Sequence, residues 1–218
     1  MATVDKHGVE EVEYELPNGV IRPTGPMTED EFVAWCDEDV KAEWVDGEVI
    51  IMSPASMRHQ DIADWLVAIL RFYVSAHRLG RVFGSEFMIR LGPIRRRRVP
   101  DVLFITKERQ HLLRPNHFEG APDLAIEVVS PDSEDRDRRD KYLDYQAAGV
   151  REYWIIDHAN EDLRVYSLDG RGLYRALPVV EGRVASTVLP GFFVRPEWLW
   201  ESPLPDEWET MHAFGLPA

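Results

Sequence analysis

A chain of 218 residues with 44% hydrophobic and 29% charged side chains is long enough for one α/β domain and too apolar for a disordered segment. No apolar run is long enough to cross a bilayer, the acidic N-terminus lacks a secretory pattern, and the single cysteine, Cys36, excludes an internal disulfide, so a cytoplasmic setting is expected. The net charge of −14 opposes an electrostatic hold on nucleic acid, but it is uneven: residues 1–50 hold 3 basic and 14 acidic side chains, residues 51–150 hold 16 and 14, and residues 151–218 hold 6 and 11.

In chain order, residues 1–26 read as an acidic arm with a turn at Pro17-Asn18-Gly19. Thr28 and Glu31 have capping-box spacing, which predicts a short helix with Phe32, Trp35 and Cys36 inward. Asp46-Gly47 between two apolar runs predicts a hairpin. Ile62, Leu66, Ile69 and Tyr73 then recur at helical spacing, with His59 on the same inward side in the first turn. Strands are expected over 82–91 and 99–105, separated by the basic run Arg95–Arg98. A further strand over 124–129 is almost wholly apolar and therefore central. Ser130-Pro131-Asp132-Ser133 breaks it, a helix from Glu134 ends at Ala148 before Gly149, and a short strand covers 153–156. Strands at 164–168, 173–180 and 183–188 suggest a meander, residues 191–200 an aromatic closure, and residues 201–218 a Pro-rich tail; the main domain is expected over 27–200.

Two isolated acids interrupt these strands. Asp101 stands among Val99, Val102, Leu103, Phe104 and Ile105, and Glu127 among Leu124, Ala125, Ile126, Val128 and Val129. A buried carboxylate needs a partner, and two readings supply one: an arginine such as Arg96 or Arg98, or a shared divalent cation. Magnesium favours one or two carboxylates completed by water and substrate phosphate. Lys141, one of only four lysines against 21 arginines, lies 14 positions after Glu127 on the helix that follows. It is either an exposed partner of Asp137 or a cation beside the carboxylates; Tyr145 shares its helical face. His59 is either a core-edge histidine or a further ligand or base. Arg95, Arg96, Arg97 and Arg98 are either a solvated turn or a contact for a phosphate backbone.

Pro100-Asp101, Glu127 and a helix bearing Lys141 resemble the PD-(D/E)XK nuclease superfamily. More narrowly, the chain resembles the bacterial Uma-two family of restriction-endonuclease-like proteins, a domain of unknown function. The matching residues run from Glu43–Gly47 through Pro54 and His59, Val99–Val102, Ala121-Pro122-Asp123 and Glu127–Pro131. They continue with Asp137, Lys141, Tyr145, Gly149-Val150, Glu152–Asp157 and Leu189–Phe192, so the likeness covers about residues 27–200. It departs from the superfamily at Val129, where a lysine is usual, and implies that Lys141 supplies that charge from the helix. The resemblance implies an α/β restriction-endonuclease-like fold, a mixed central sheet flanked by helices with an additional C-terminal β-meander. It further implies a magnesium- or manganese-dependent endonuclease acting on nucleic acid, DNA in the first instance. Asp101, Glu127 and the Val128 carbonyl would hold the metal, and Lys141, His59 and Glu43 would complete the site. A homodimer is expected because a duplex has two strands to cut. The competing reading is a nuclease-derived binding module that cuts nothing.

Overall fold

The computed structural model describes residues 3–4, 10–11, 23, 25–36, 40–129 and 136–216. The turn expected at Pro17-Asn18-Gly19, the break at 130–133 and the start of the helix near Glu134 lie outside the described residues, as does the side chain of Asp137.

The elements, in order, are β1 (Thr3–Val4), β2 (Glu10–Glu11), α1 (Glu29–Trp35), β3 (Ala42–Val45), β4 (Glu48–Ile51) and α2 (Met57–His77). There follow β5 (Gly80–Gly84), β6 (Met88–Leu91), β7 (Arg96–Arg98), β8 (Val102–Thr106), β9 (His117–Glu119), β10 (Leu124–Val128), α3 (Lys141–Ala148) and β11 (Glu152–Asp157). The chain closes with β12 (Asp162–Leu168), β13 (Tyr174–Ala176), β14 (Val184–Ala185), β15 (Phe193–Val194), α4 (Pro196–Trp200) and α5 (Glu207–His212).

A six-stranded sheet has the order β13-β12-β11-β10-β8-β5, with β10 and β11 parallel and every other pair antiparallel. Its centre is β10, buried along its whole length, as a strand covered on both faces must be. Alternation divides its side chains. Val102, Phe104, Leu124, Ile126 and Val128 face the cluster that receives α2, whereas Leu103, Ile105, Ala125 and Val129 face the cluster that receives Tyr145 of α3. Glu127, between Ile126 and Val128, therefore points to the α3 side.

A five-stranded sheet, β4-β3-β7-β6-β9, packs its other face on α1 through Phe32, Ala42 and Trp44. The capping box forms as expected: Glu31 accepts from the Thr28 amide at 2.8 Å while Thr28 Oγ1 accepts from the Glu31 amide. The β3–β4 hairpin turns on Asp46 and Gly47, both at positive φ.

Several expected boundaries change. The run 82–91 is two strands, broken after Gly84 by a turn in which Glu86 has φ 89°, and the two belong to different sheets. The Arg95–Arg98 loop is mostly strand, because β7 is paired on both sides, to β3 and β6. Asp101 sits in a bend just before β8, since Pro100 has no N–H to continue a ladder. α3 begins at Lys141, after a π-helical turn over Arg136–Asp140. Of the expected meander, 164–168 and 173–180 form the antiparallel pair β12–β13, the second shortened to Tyr174–Ala176, but the strand expected over 183–188 is reduced to β14 and pairs with β15. The expected tail carries α5: Met211 is buried against the α2 cluster and Trp65 Nε1 donates to the Pro205 carbonyl at 2.8 Å.

Candidate active site

The site lies where β8 and β10 part. Their pairing ends at Ile126 and Val102, so the next inward amide, that of Val128, has no ladder partner on that side. The Asp101 carboxylate takes its place, accepting from Val128 N at 2.8 Å through Oδ2. Its other oxygen lies 3.1 Å from His59 Nε2. Ser56 fixes that histidine by capping α2, its hydroxyl accepting from the His59 amide at 3.2 Å. His59 Nδ1 is buried and has no hydrogen-bond partner among the described residues. Burial raises the Asp101 pKa, but the His59 contact, the Lys141 charge and the Val128 amide outweigh it and hold the carboxyl below its ordinary value.

Glu127 is 2% exposed and accepts on both oxygens: Lys141 Nζ donates to Oε2 at 2.7 Å and Tyr145 Oη to Oε1 at 2.7 Å. Lys141, only 1% exposed, also stands 3.3 Å from Glu43 Oε1 and so bridges two acids. An exposed pairing with Asp137 would leave it in solvent; it is buried instead. Glu43 is completely buried at the start of β3, accepting from Arg98 Nη1 at 2.7 Å and from the Val99 amide at 3.1 Å. Burial raises its pKa, yet the Lys141 and Arg98 charges bring it down to about 2. Tyr145 is driven the other way, well above its ordinary value, by burial and then by the Glu127 and Glu43 charges, so its hydroxyl stays a donor.

The carboxylates of Glu43, Asp101, Glu127 and Asp144 gather around this point, with Lys141, Arg98 and Arg96 as their cationic partners among the described residues. Among the described residues no three His, Cys, Asp or Glu side chains form a ready metal cage. The donor set instead suits magnesium or manganese held by two carboxylates, with water and substrate oxygens filling the shell. Each bonded carboxylate oxygen keeps a second lone pair for such an ion.

The structure thus brings together Asp101, Glu127, Lys141, Glu43 and His59. Val128 joins them through its amide. The arginine run divides: Arg98, 2% exposed, joins the cluster between Glu43 and Asp144, whereas Arg97, 7% exposed, donates to Glu29 at 2.8 Å. Arg96 pairs with Asp46 and Asp144. Arg96, Arg97 and Arg98 are thus engaged with carboxylates, which leaves Arg95 as the exposed member of the run. Sequence reasoning missed Asp144 and the bonding role of Tyr145; their places three and four residues after Lys141 were the available signal. A cavity of about 760 Å³ lies behind the five-stranded sheet, lined by Phe32, Lys41, Phe87, Met88 and Arg97, and does not include the carboxylates.

No helix among the described residues is long and apolar enough to cross a membrane. No curated protein matches the chain. The crystal structure of a "putative nuclease belonging to DUF820" from Anabaena variabilis has a similar fold, with TM-score 0.68 at 22% identity over 80% of this chain and 98% of that one. The Uma2 family model, described as "Putative restriction endonuclease", matches residues 29–197, more than three quarters of the sequence and every residue of the cluster. The chain belongs to the Uma2 family.

Proposed function

We propose that the protein is a metal-dependent endonuclease of PD-(D/E)XK type that hydrolyses phosphodiester bonds in DNA. The observation that supports this reading is the buried cluster itself: Asp101 bonded to the amide of Val128, the residue after Glu127, with Lys141 against Glu127. Asp101, Glu127 and the Val128 carbonyl would hold magnesium or manganese. When bound, such an ion supplies Lewis-acid polarisation of the phosphate and a lowered pKa for an attacking water. The chain's own groups do the remaining work. Lys141 offsets charge growing on the phosphate, and Glu43, itself neutralised by Arg98, keeps that ammonium in place. His59 is fixed by Asp101 through Nε2, which leaves its buried Nδ1 to hold a proton or a water. The protein is read as a cytoplasmic homodimer, one site for each strand of a duplex.

One observation favours a second reading, a nuclease-derived binding module: Lys141 already bonds two carboxylates, and Val129 stands where a strand lysine is usual. Plasmid cleavage with magnesium or manganese separates the two. The enzyme nicks or linearises the plasmid, and Asp101→Asn or Glu127→Gln lowers the rate at least 100-fold while far-UV dichroism is unchanged. A wild-type protein that cuts neither DNA nor RNA, or an Asp101→Asn variant that cuts normally, overturns the nuclease reading.

A further inference from the structure

Most arginines of this acidic protein are matched with carboxylates: Arg90 with Glu29 and Glu119, Arg98 with Glu43 and Asp144, Arg138 with Asp157 and Asp162. Several exposed cations are not, and four of them lie around the outer strand of the six-stranded sheet, Arg71 on α2, Arg78 at its C-terminal cap and Arg81 on the opposite face with Phe83. Arg71, Arg78, Arg81 and Lys107 have no carboxylate partner among the described residues and no undescribed contact.

Their grouping follows from the backbone. β5 is the outer strand of the six-stranded sheet. Arg81 lies on it, its guanidinium 4.8 Å from the Phe83 ring centroid. Arg71 reaches over from α2, its Nε donating to the Val82 carbonyl at 3.3 Å. Arg78 caps the C-terminus of α2 in the left-handed conformation, two residues before β5. Lys107 follows β8, its amide bonded to the Leu79 carbonyl at 2.9 Å. Gly80 allows this crowding, since a Cβ there would lie 2.0 Å from the Ile105 carbonyl oxygen. Glu108 is an exposed acid beside the strip, and α5, with Glu207 and Glu209, bounds it on the far side of α2.

The strip shares a sheet with the carboxylate cluster. Gly84 pairs with Val102, next to Asp101, while Gly80 pairs with Thr106 at the opposite end, about 13 Å away along the strand. On α2, Arg71 stands 12 residues beyond His59, about 18 Å along the helix. At 3.4 Å per base pair this is roughly four or five pairs of duplex. Unpaired charge held at that distance in a chain of net charge −14 suits an extended polyanion leaving the active site.

We infer that Arg71, Arg78, Arg81 and Lys107 form a track for the phosphates of the nucleic acid that flank the scissile bond. This inference rests on the nuclease reading, because it takes the bound polymer to be the substrate.

The experiment titrates a fluorescent 30-base-pair duplex with the full chain in EDTA, from 50 to 200 mM salt, following anisotropy. Each phosphate contact contributes about 0.9 to the slope of log K against log salt, so replacing all four cations by glutamine lowers the slope by up to about 3.6. Over that salt range the wild type would then lose roughly 100-fold more affinity than the variant. At saturating plasmid the variant cleaves at the wild-type rate, with KM raised. Should the quadruple variant misfold, Arg78→Gln/Lys107→Gln serves, because neither side chain makes a hydrogen bond among the described residues; its slope falls by about 1.8. A slope within 0.9 of wild type, or a wild type that does not bind duplex, overturns the track. Cleavage with an unchanged slope rejects the track alone, whereas binding on the track without cleavage rejects the nuclease reading alone.

Discussion

Replacing Lys141 by methionine removes one charge and keeps most of the side-chain volume. In the wild type Nζ lies 2.7 Å from Glu127 Oε2 and 3.3 Å from Glu43 Oε1, with 1% of the residue exposed. The substitution therefore leaves two buried carboxylates without that cation, with Tyr145 donating to Glu127 and Arg98 and the Val99 amide donating to Glu43 as their remaining described donors. Breaking a buried pair from one side costs about 3–5 kcal/mol, which for a domain of this size lowers the melting temperature by about 10 °C. The same vacancy of charge sharpens the test for a metal. If the cluster takes a divalent cation with a dissociation constant near 0.1 mM, 10 mM magnesium returns about 2.7 kcal/mol. Urea denaturation at pH 7, once in EDTA and once in magnesium, reads both numbers. A loss under about 1 kcal/mol in EDTA would refute the claim that Lys141 neutralises buried acid; a full loss that magnesium leaves untouched would refute the cation site.

Glu43, with its folded pKa depressed from 4.5 to about 2, contributes stability that is complete above pH 4.5 and disappears as the pH falls towards 2. Glu43→Gln should flatten that acid limb by up to about 2 kcal/mol, read from urea midpoints at pH 3 and pH 6; superimposable limbs would contradict the assignment. Tyr145→Phe deletes the hydroxyl that donates to Glu127 and should cost about 1.5–3 kcal/mol, as for a hydrogen bond to a charged group, with a loss below 0.5 kcal/mol counting against the contact. Gly80→Ala drives a methyl into the Ile105 carbonyl and should lower stability by at least about 2 kcal/mol, whereas Gly170→Ala, with nothing within 4 Å of its added Cβ, should be close to neutral in the same thermal melt.

What was legible in the sequence was local or isolated. The Thr28–Glu31 capping box and the Asp46-Gly47 turn depend on neighbours three or fewer positions away. Glu127 stood out because an acid inside an otherwise apolar strand has few physical explanations. What stayed hidden depended on partners far along the chain. Four consecutive arginines look like solvent-facing loop, yet three of them, Arg96, Arg97 and Arg98, meet Glu29, Glu43, Asp46 and Asp144, separated from them by 46 to 68 positions. The break between β5 and β6 is marked only by Gly84-Ser85-Glu86, and the run stays apolar on both sides of it because the two strands serve different sheets and both need burial. α5 was masked by the prolines around it; Asp206 caps it, accepting from the Trp208 and Glu209 amides.

The position of Lys141 carries one more consequence. Val129, two residues after Glu127, faces the same side of β10 and is buried there, so a cation at that position would rise from the strand beside the carboxylate. Lys141 approaches from the opposite direction, out of the first turn of α3. Tyr145, one turn further along the same helical face, bonds the other oxygen of the same carboxylate. Two donors four residues apart clamp a single acid. Slipping α3 by one residue rotates its face by about 100° and takes both donors away from Glu127 together. The charge at the site and the docking angle of α3 are thus one constraint, and Glu127 cannot keep its neutralising partner while the helix packs in any other register.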